Sequence, residues 1–321
     1  IMRMICEIVC PGVLLLGEVV MAPEKVVPYF GTVEKPECHL LYNVTTMAST
    51  WHTVATKDVS LLRRQLDIIS ELPRDYVFQN YLDYEYLENF GIQEVPHKKY
   101  LNDFLTGKYP DSFARGELYN DDPRLGDARL CGTTASLCGI ERFGFEGNQE
   151  GVDRAVRYDI TLHAFMLSQS GIPVIYSGDE IGQVNDYSYK DDPEKSDDSR
   201  YLHRGKFDWK LAENRHDPAT VQGKLFPVLD KLEHIRSSHG IFNSNVPIHT
   251  IDTWDNSILA FVRENDEEKF IGIYNFSEND KVAWINEEDG MYTDLISGRE
   301  MEAKGVQIPA FGCYWLCRNK Q

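Results

Sequence analysis

The stretch "GVLLLGEVVMAPEKVV", residues 12–27, decides the fold because it joins a strand pattern to a helix pattern. Its apolar run, residues 13–16, ends at Gly17 and is followed at once by the carboxylate of Glu18. An uninterrupted apolar run is typical of a parallel strand that is covered on both faces. The proline near the end of the stretch favours the first turn of a helix. The stretch therefore predicts a strand over residues 13–20, an acid within its carboxyl-terminal part and a helix after it.

The same strand-and-helix unit recurs along residues 1–239. Further apolar strands are predicted at 39–44, at 76–82 and in "IPVIYSGDEIG" from residue 172. Apolar residues at helical spacing predict helices over 47–72, 151–171 and 219–237. Alternating strands and helices indicate a parallel sheet covered on both sides. Four such strands are half of a (β/α)8 barrel, whose active site lies at the carboxyl ends of its strands.

Composition divides the chain into four expected parts. Residues 1–82 and 151–239 carry the barrel units, and residues 83–150, rich in Asp, Asn, Gly and Tyr, predict a loop-excursion subdomain. After residue 240 the pattern changes to short alternating runs, which predict an antiparallel β-sandwich over 240–321. We therefore expect an α/β fold: the C-terminal half of a (β/α)8 TIM barrel with an excursion, followed by a sandwich. Tryptophans of the last part are expected in its core rather than on a sugar-stacking surface.

Charge and hydropathy exclude several classes of partner. The chain has 51 acidic and 33 basic residues, a formal net charge of −18. Such a surface repels nucleic acid phosphate and anionic lipid. No apolar run approaches the ~18 residues that a membrane span needs. We expect neither nucleic acid nor a membrane as a partner, and the oligomeric state stays open.

The seven cysteines indicate free thiols in a reducing, cytoplasmic compartment, because their number is odd and most have apolar neighbours. A zinc site is the alternative, but the sequence has no paired CxxC spacing. The acidic segment 191–198 lacks the glycine turn of a calcium loop. We expect no metal and no cofactor. The sequence shows no signal peptide and does not open with Met, so we expect it to begin inside a larger protein or a helix already under way.

"GIPVIYSGDEIG", residues 171–182, resembles the last barrel strand of the α-amylase superfamily, glycoside hydrolase family 13. The resemblance extends to "SDDSRYLHR" at 196–204, "DARLCGTTASL" at 127–137 and "FARG" at 113–116, and it is most like the amylosucrases. The resemblance covers only the C-terminal portion of the proteins of that family. It implies that residues 1–82 hold barrel strands five to seven and that 83–150 follow the seventh strand.

The resemblance also implies an enzyme that transfers or hydrolyses α-glucosyl groups with retention of configuration. Glu18 would be the general acid/base, which protonates the leaving oxygen and later deprotonates the acceptor. Such a mechanism needs a second carboxylate as nucleophile, about 5–5.5 Å from the first. Asp179 and Glu180 are expected to be structural within the turn that follows the last strand.

Five further residues are expected to bind substrate. By resemblance, Arg200 contacts the sugar on its leaving-group side and Arg129 guides a glucan acceptor. Lys98 stands where the family often has arginine. Tyr42 and Asn43 end the second predicted strand and would line the same rim as Glu18.

The two carboxylate partners of the family's acid are missing from the sequence. The nucleophilic Asp of an Arg-x-Asp motif would precede the first residue. The family's His-Asp segment would follow Asn80 and Tyr81, where the sequence instead runs directly into "DYEYLENFG", and neither Glu85 nor Tyr86 is assigned its role. We favour the interpretation that the sequence is part of a longer enzyme. The other interpretation is a truncated and inactive product.

Three functions stay open at this point. The leading hypothesis is an amylosucrase-like transferase or hydrolase that acts on sucrose or a related α-glucoside by double displacement, with transfer of glucose to a glucan, to phosphate or to water. The second is a sucrose phosphorylase or α-glucosidase of the same superfamily. The third is a non-catalytic carbohydrate-binding remnant.

Overall fold

The computed structural model describes residues 1–82, 94–285 and 289–320. Within these residues the α-helices are α1 (Met2–Val9), α2 (Pro23–Phe30), α3 (Val44–Thr56), α4 (Ser60–Ser70), α5 (Val95–Leu105), α6 (Thr134–Cys138), α7 (Ile140–Phe145), α8 (Gln149–Ser168), α9 (Trp209–Ala212) and α10 (Val221–Ser238). Short 3-10 helices span Asp179–Ile181, Tyr187–Asp191, Ser199–Leu202, Glu213–His216 and Gly240–Phe242.

The strands fall into a parallel and an antiparallel set. Those of residues 1–173 are β1 (Leu16–Gly17), β2 (Leu40–Tyr42), β3 (Val77–Asn80), β4 (Glu117–Asp122), β5 (Asp127–Cys131) and β6 (Ile172–Pro173). Those of the C-terminal region are β7 (His249–Ile251), β8 (Ile258–Glu264), β9 (Glu268–Asn275), β10 (Lys281–Ala283), β11 (Met291–Asp294), β12 (Glu300–Glu302), β13 (Val306–Ile308) and β14 (Cys313–Asn319).

The four predicted apolar strands form one parallel sheet in the order β1-β2-β3-β6. Each is shorter than predicted: only Leu16 and Gly17 of the expected strand 13–20 pair with β2. Among the described residues, the outer strands β1 and β6 each pair with a single neighbour. A strand with one neighbour makes fewer ladder hydrogen bonds, which accounts for its shortness.

The predicted helix over 47–72 is wrong in one respect, because it is two helices. Lys57 adopts the left-handed conformation, with φ of 61°, and ends α3. Its ammonium donates a hydrogen bond of 2.6 Å to the Val54 carbonyl, one of the carbonyls left open at the helix end. Asp58 then accepts from the backbone N–H of Ser60 at 2.9 Å as α4 begins.

The expected excursion is more regular than its composition predicts. Its described part, residues 94–150, contains α5, the hairpin of β4 and β5, and the helices α6 and α7. Leu101, Leu105 and Ala135 of this part are fully buried in the main core. Residues 83–93, with the "DYEYLENFG" segment, lie outside the described residues.

The C-terminal region is built on a six-stranded antiparallel sheet in the order β12-β11-β14-β9-β8-β7. One face, with Phe261 and Trp315, belongs to the same core as α8. The other face, with Val262 and Ile271, packs against the two-stranded sheet of β10 and β13. Because both faces are covered, β8 has a continuous run of apolar residues instead of alternating apolar and polar ones.

The tryptophans of this region divide. Trp315 is fully buried, as expected. Trp254 and Trp284 are 73% and 51% exposed, so the expectation of a core position is wrong for these two.

None of the described helices is long and apolar enough to cross a bilayer.

Candidate active site

A cavity of about 260 Å³ lies at the carboxyl ends of the four parallel strands. We call it the Glu18 cavity, and it is lined by Glu18, Val20, Tyr42, Gln79, Tyr81, Leu82, Gly132, Thr133, Thr134, Val174, Tyr176, Asp179 and His203. Every strand of the sheet contributes, either by its last residues or by the loop that follows. This edge is where barrel enzymes hold their catalytic groups.

Glu18 directly follows β1, and its side chain lines the cavity from an exposed position. The predicted strand-end acid is therefore brought to the cavity. Its exposure follows from the place of β1 at the outside of the sheet. A general acid gains from burial, which favours its protonated form.

Asp179 is a buried residue of the cavity lining, and behind it lie a histidine and a second carboxylate from α8. His163 lies 2.8 Å from Asp159 through Nδ1 and 3.5 Å from Asp179 through Nε2, and all three groups are almost completely buried. Burial by itself disfavours the charged ring, but the carboxylates of Asp159 and Asp179 raise the pKa of His163 well above 6.5. Thr134 adds a hydrogen bond of 3.3 Å to Asp179. The Asp159 and Asp179 carboxylates thus hold the buried His163 ring as a cation behind the cavity wall.

His203 is a second histidine at the cavity, and its charge state is the opposite one. Burial, followed by the neighbouring Arg204, lowers its pKa to about 4. Its ring meets that of Tyr176 edge to face at 5.8 Å. Its Nδ1 has no hydrogen-bond partner among the described residues. The His203 ring at the cavity wall is therefore neutral, and its Nδ1 is buried from solvent.

Sequence reasoning placed Asp179 as a structural residue and did not single out His203. The "SDDSRYLHR" segment was the available signal for His203. No local signal pairs Asp179 with His163, because 16 residues and a helix end separate them.

Tyr42 and Asn43 are adjacent, but only Tyr42 lines the cavity. The ring of Tyr42 meets Tyr81 edge to face at 5.0 Å. The Asn43 side chain points elsewhere: it donates to Asn80 at 2.8 Å and accepts from Thr46 at the start of α3. Because its amide is buried in these bonds, the structure gives Asn43 a role in joining β2 to β3, in place of the predicted contact with substrate.

Arg200 and Arg129 meet at Tyr119 and do not line the cavity. Arg129 lies opposite Tyr119 in the hairpin, and the Arg200 guanidinium lies 4.5 Å from the centre of the same ring. Arg200 also binds Asp198 at 2.6 Å, which lowers the pKa of that carboxyl. Arg129 precedes the cavity residue Gly132 by three positions, roughly 10 Å along an extended chain. The structure thus brings the two predicted arginines together beside the cavity.

Lys98 does not reach the cavity. Its ammonium lies 2.8 Å from Asp127, and both side chains are buried beneath the hairpin. Breaking such a pair leaves an uncompensated buried charge, so Lys98 holds α5 against β5. This structural role takes the place of the predicted contact with substrate.

A larger cavity, of about 750 Å³, lies along the outer side of β6. It is lined by residues of α10, including Asp230 and Glu233, and by Glu180. Burial and the neighbouring carboxylates raise the pKa of Glu233. Glu180 itself accepts a hydrogen bond of 2.8 Å from the backbone of Gly178, which fixes the turn as expected.

Comparison with curated proteins finds similarity to phosphorylases. The chain is 24% identical over 321 residues to the glucosylglycerate phosphorylase of Escherichia coli (strain K12), covering 98% of this chain and 55% of that protein. It is 28% identical over 241 residues to the enzyme of the same name from Spirochaeta thermophila, covering 74% and 38%. The chain spans about half the length of the E. coli relative and 38% of the length of the Spirochaeta thermophila relative. No family model matches the chain.

Solved structures with the same fold include three carbohydrate-active proteins. AmyP in complex with maltose has a TM-score of 0.62 at 14% identity, covering 94% of this chain and 54% of that one. The sucrose 6F-phosphate phosphorylase of Thermoanaerobacter thermosaccharolyticum gives 0.61 at 17%, covering 92% and 51%. The alpha-amylase from H. orenii gives 0.57 at 16%, covering 99% and 55%.

These comparisons confirm the broader expectations. The chain has the α/β fold of the alpha-amylase enzymes with a sheet-rich C-terminal region, and its relatives are enzymes that act on glycosides. Three of the curated relatives are named glucosylglycerate phosphorylases. Phosphorolysis is therefore the first reaction to consider for the Glu18 cavity.

Proposed function

We propose that this chain is the C-terminal half of a retaining α-glucoside phosphorylase, in which the Glu18 cavity holds the glucosyl group. The observation that carries the proposal is the position of Glu18 at the carboxyl end of a parallel strand, across a cavity that Asp179 and His203 also line. The phosphorylase relatives support a transfer to phosphate, which was the second hypothesis from sequence.

Glu18 acts twice in the proposed reaction. It first donates its proton to the glycosidic oxygen while a nucleophilic carboxylate attacks the anomeric carbon, so that the glycosidic bond breaks and a glucosyl-enzyme ester forms. Its carboxylate then accepts a proton from the attacking phosphate, the ester bond breaks, and α-glucose 1-phosphate leaves. Asp179, which lines the same cavity, faces the sugar ring on which positive charge develops.

The nucleophile comes, in this proposal, from parallel strands that complete the barrel. Two features of the described residues support such strands. The outer strands β1 and β6 each leave one edge unpaired there, and the 750 Å³ cavity lies beside β6. An unpaired edge of a parallel sheet exposes backbone groups that need partners.

In this proposal Arg200 and Arg129, which lie outside the cavity lining, favour the approach of an anionic acceptor from their side of the cavity. Both lie beside Tyr119 on the hairpin that leads into the cavity. Arginine recognises planar or tetrahedral anions through paired N–H groups. Phosphate, or the carboxylate of an acceptor such as glycerate, fits this position better than a neutral glucan. We place the enzyme in the cytoplasm because all seven cysteines are free thiols.

The test is product analysis with the complete protein. Glucosylglycerate and sucrose are each incubated with and without phosphate, and glucose 1-phosphate and free glucose are measured. Glucose 1-phosphate formed only with phosphate supports the proposal. Glucose or oligosaccharide formed equally without phosphate identifies a hydrolase or an amylosucrase. Saccharide binding without any product identifies a non-catalytic remnant.

A further inference from the structure

Three metal-binding side chains lie together where α10 ends against the C-terminal sheet, away from the Glu18 cavity. His239, Glu268 and Cys317 each offer one ligand atom, and these atoms all lie within 4.8 Å of one another. Glu268 and Cys317 are buried, and the His239 side chain is 28% exposed. We call them the His239 cluster.

The fold holds the three residues from three separate elements. Glu268 opens β9 and pairs with Asn319, whereas Cys317 pairs with Phe270. Glu268 and Cys317 are therefore diagonal neighbours on one face of the sheet. His239 is the residue that follows α10. Ligands fixed on regular elements give a site a defined geometry.

The donor set and spacing fit a zinc-type dication. Thiolate, imidazole and carboxylate are the ligands that Zn²⁺ takes in proteins. The Cys317 sulfur lies 3.8 Å from Glu268 Oε1. Tetrahedral zinc holds sulfur and oxygen ligands ~3.6 Å apart. His239 Nδ1 is in hydrogen-bond contact with the same oxygen, so the ring must withdraw by about 1 Å, which its partly exposed position at a helix end permits.

The charges of the cluster also fit a dication. The second carboxylate oxygen of Glu268 accepts a hydrogen bond of 3.3 Å from the backbone of Ile241. A carboxylate and a thiolate would place two negative charges at an almost fully buried position, which is costly without a counter-charge. One divalent ion balances both.

We propose that His239, Glu268 and Cys317 bind Zn²⁺, with water as the fourth ligand on the exposed side of His239. The ion fastens the end of α10 to strands β9 and β14. On binding, the S–H bond breaks, its proton passes to the buffer and the S–Zn bond forms, while the His239 proton shifts to Nε2.

The test is a Co²⁺ titration of the complete protein, because a thiolate–cobalt bond gives a charge-transfer band in the near ultraviolet. Cys6 of α1 and Cys10, the residue that follows this helix, would add a signal of their own, so both are first replaced by Ser. We expect one Co²⁺ per chain, visible bands of tetrahedral cobalt, and displacement by Zn²⁺.

Two variants decide whether the signal belongs to the cluster. Cys317→Ser must abolish the charge-transfer band, and Cys313→Ser, at the start of the same strand, must leave it unchanged. If Cys317→Ser fails to fold, His239→Gln must weaken Co²⁺ affinity at least about tenfold. No band before substitution, or a band that survives Cys317→Ser, would overturn the proposal and leave a hydrogen-bonded triad.

Discussion

The parallel sheet and the C-terminal sheet of this chain are covered in different ways. The C-terminal sheet has α8 on one face and a second, two-stranded sheet on the other. The parallel sheet carries α1 next to its outer strand β1, and none of the residues of α1 is buried. Ile8 and Val9 of α1 are 77% and 76% exposed. Both faces of the C-terminal sheet are therefore covered within the described residues, whereas the apolar residues of α1 are left exposed.

The largest expected effect tests the C-terminal core. Trp315 is fully buried and donates a hydrogen bond of 3.1 Å to the Tyr274 hydroxyl. Trp315→Ala is expected to lower the free energy of unfolding by about 3–5 kcal/mol, because it leaves a cavity among packed rings. Urea denaturation measures this loss.

Trp254→Ala is the matched control, since Trp254 belongs to the same region and is 73% exposed. Its expected effect is within about 0.5 kcal/mol. Equal losses for the two variants would contradict the division between a buried core and an exposed surface in this region.

A smaller effect tests whether α1 is covered in the complete protein. The completed barrel of our proposal would bury Ile8, so Ile8→Gln is expected to cost about 1.5–3 kcal/mol. Val33→Gln, at a fully exposed position of a loop, serves as the control and should cost less than about 0.5 kcal/mol. A cost for Ile8→Gln as small as that of the control would count against covering strands.

The smallest effect is the pH dependence that two histidines at the cavity contribute to stability. The pKa of His163 is raised above 6.5, so above pH 6.5 the native state binds a proton that the unfolded state has lost. Stability should therefore fall as pH rises from 6.5, by at most about 1.4 kcal/mol per pH unit. The pKa of His203 is lowered to about 4, so its effect has the opposite sign. Its contribution to the free energy of unfolding falls as pH drops from 6.5 towards 4.

NMR of the imidazole rings checks both directions in one titration. The His163 ring should lose its proton at a pH well above 6.5, and the His203 ring should gain one only near pH 4. A His163 ring that titrates near 6.5 would show that Asp159 and Asp179 do not hold it as a cation.

The sequence predicted the order of the main elements, since apolar runs and helical spacing are local properties. It missed the end of α3 because Lys57 takes a left-handed conformation without being glycine or asparagine, the usual signals. It missed the helices of 94–150 because their buried residues are held by distant parts of the chain. It placed Glu18 and Tyr42 at the cavity through their positions at strand ends.

Residues with charged partners far along the chain could not be assigned from sequence. From sequence, Lys98 was predicted to bind substrate. The structure shows that it binds Asp127, which is 29 residues away. The His239 cluster could not be predicted from sequence for the same reason. Glu268 is 29 residues from His239 and 49 residues from Cys317. Spacing rules for zinc sites detect ligands that lie close together in sequence.

The most direct test of the central claim compares two glutamates near β1 in the complete protein. Glu18→Gln removes the proposed acid/base, and Glu24→Gln changes an exposed glutamate of α2 in the same way. The rate of glucose 1-phosphate formation from an α-glucoside and phosphate is measured for both. We predict a loss of about 10²–10⁴-fold for Glu18→Gln and an unchanged rate for Glu24→Gln. Equal rates for the two variants would contradict the assignment of Glu18 as the catalytic acid/base.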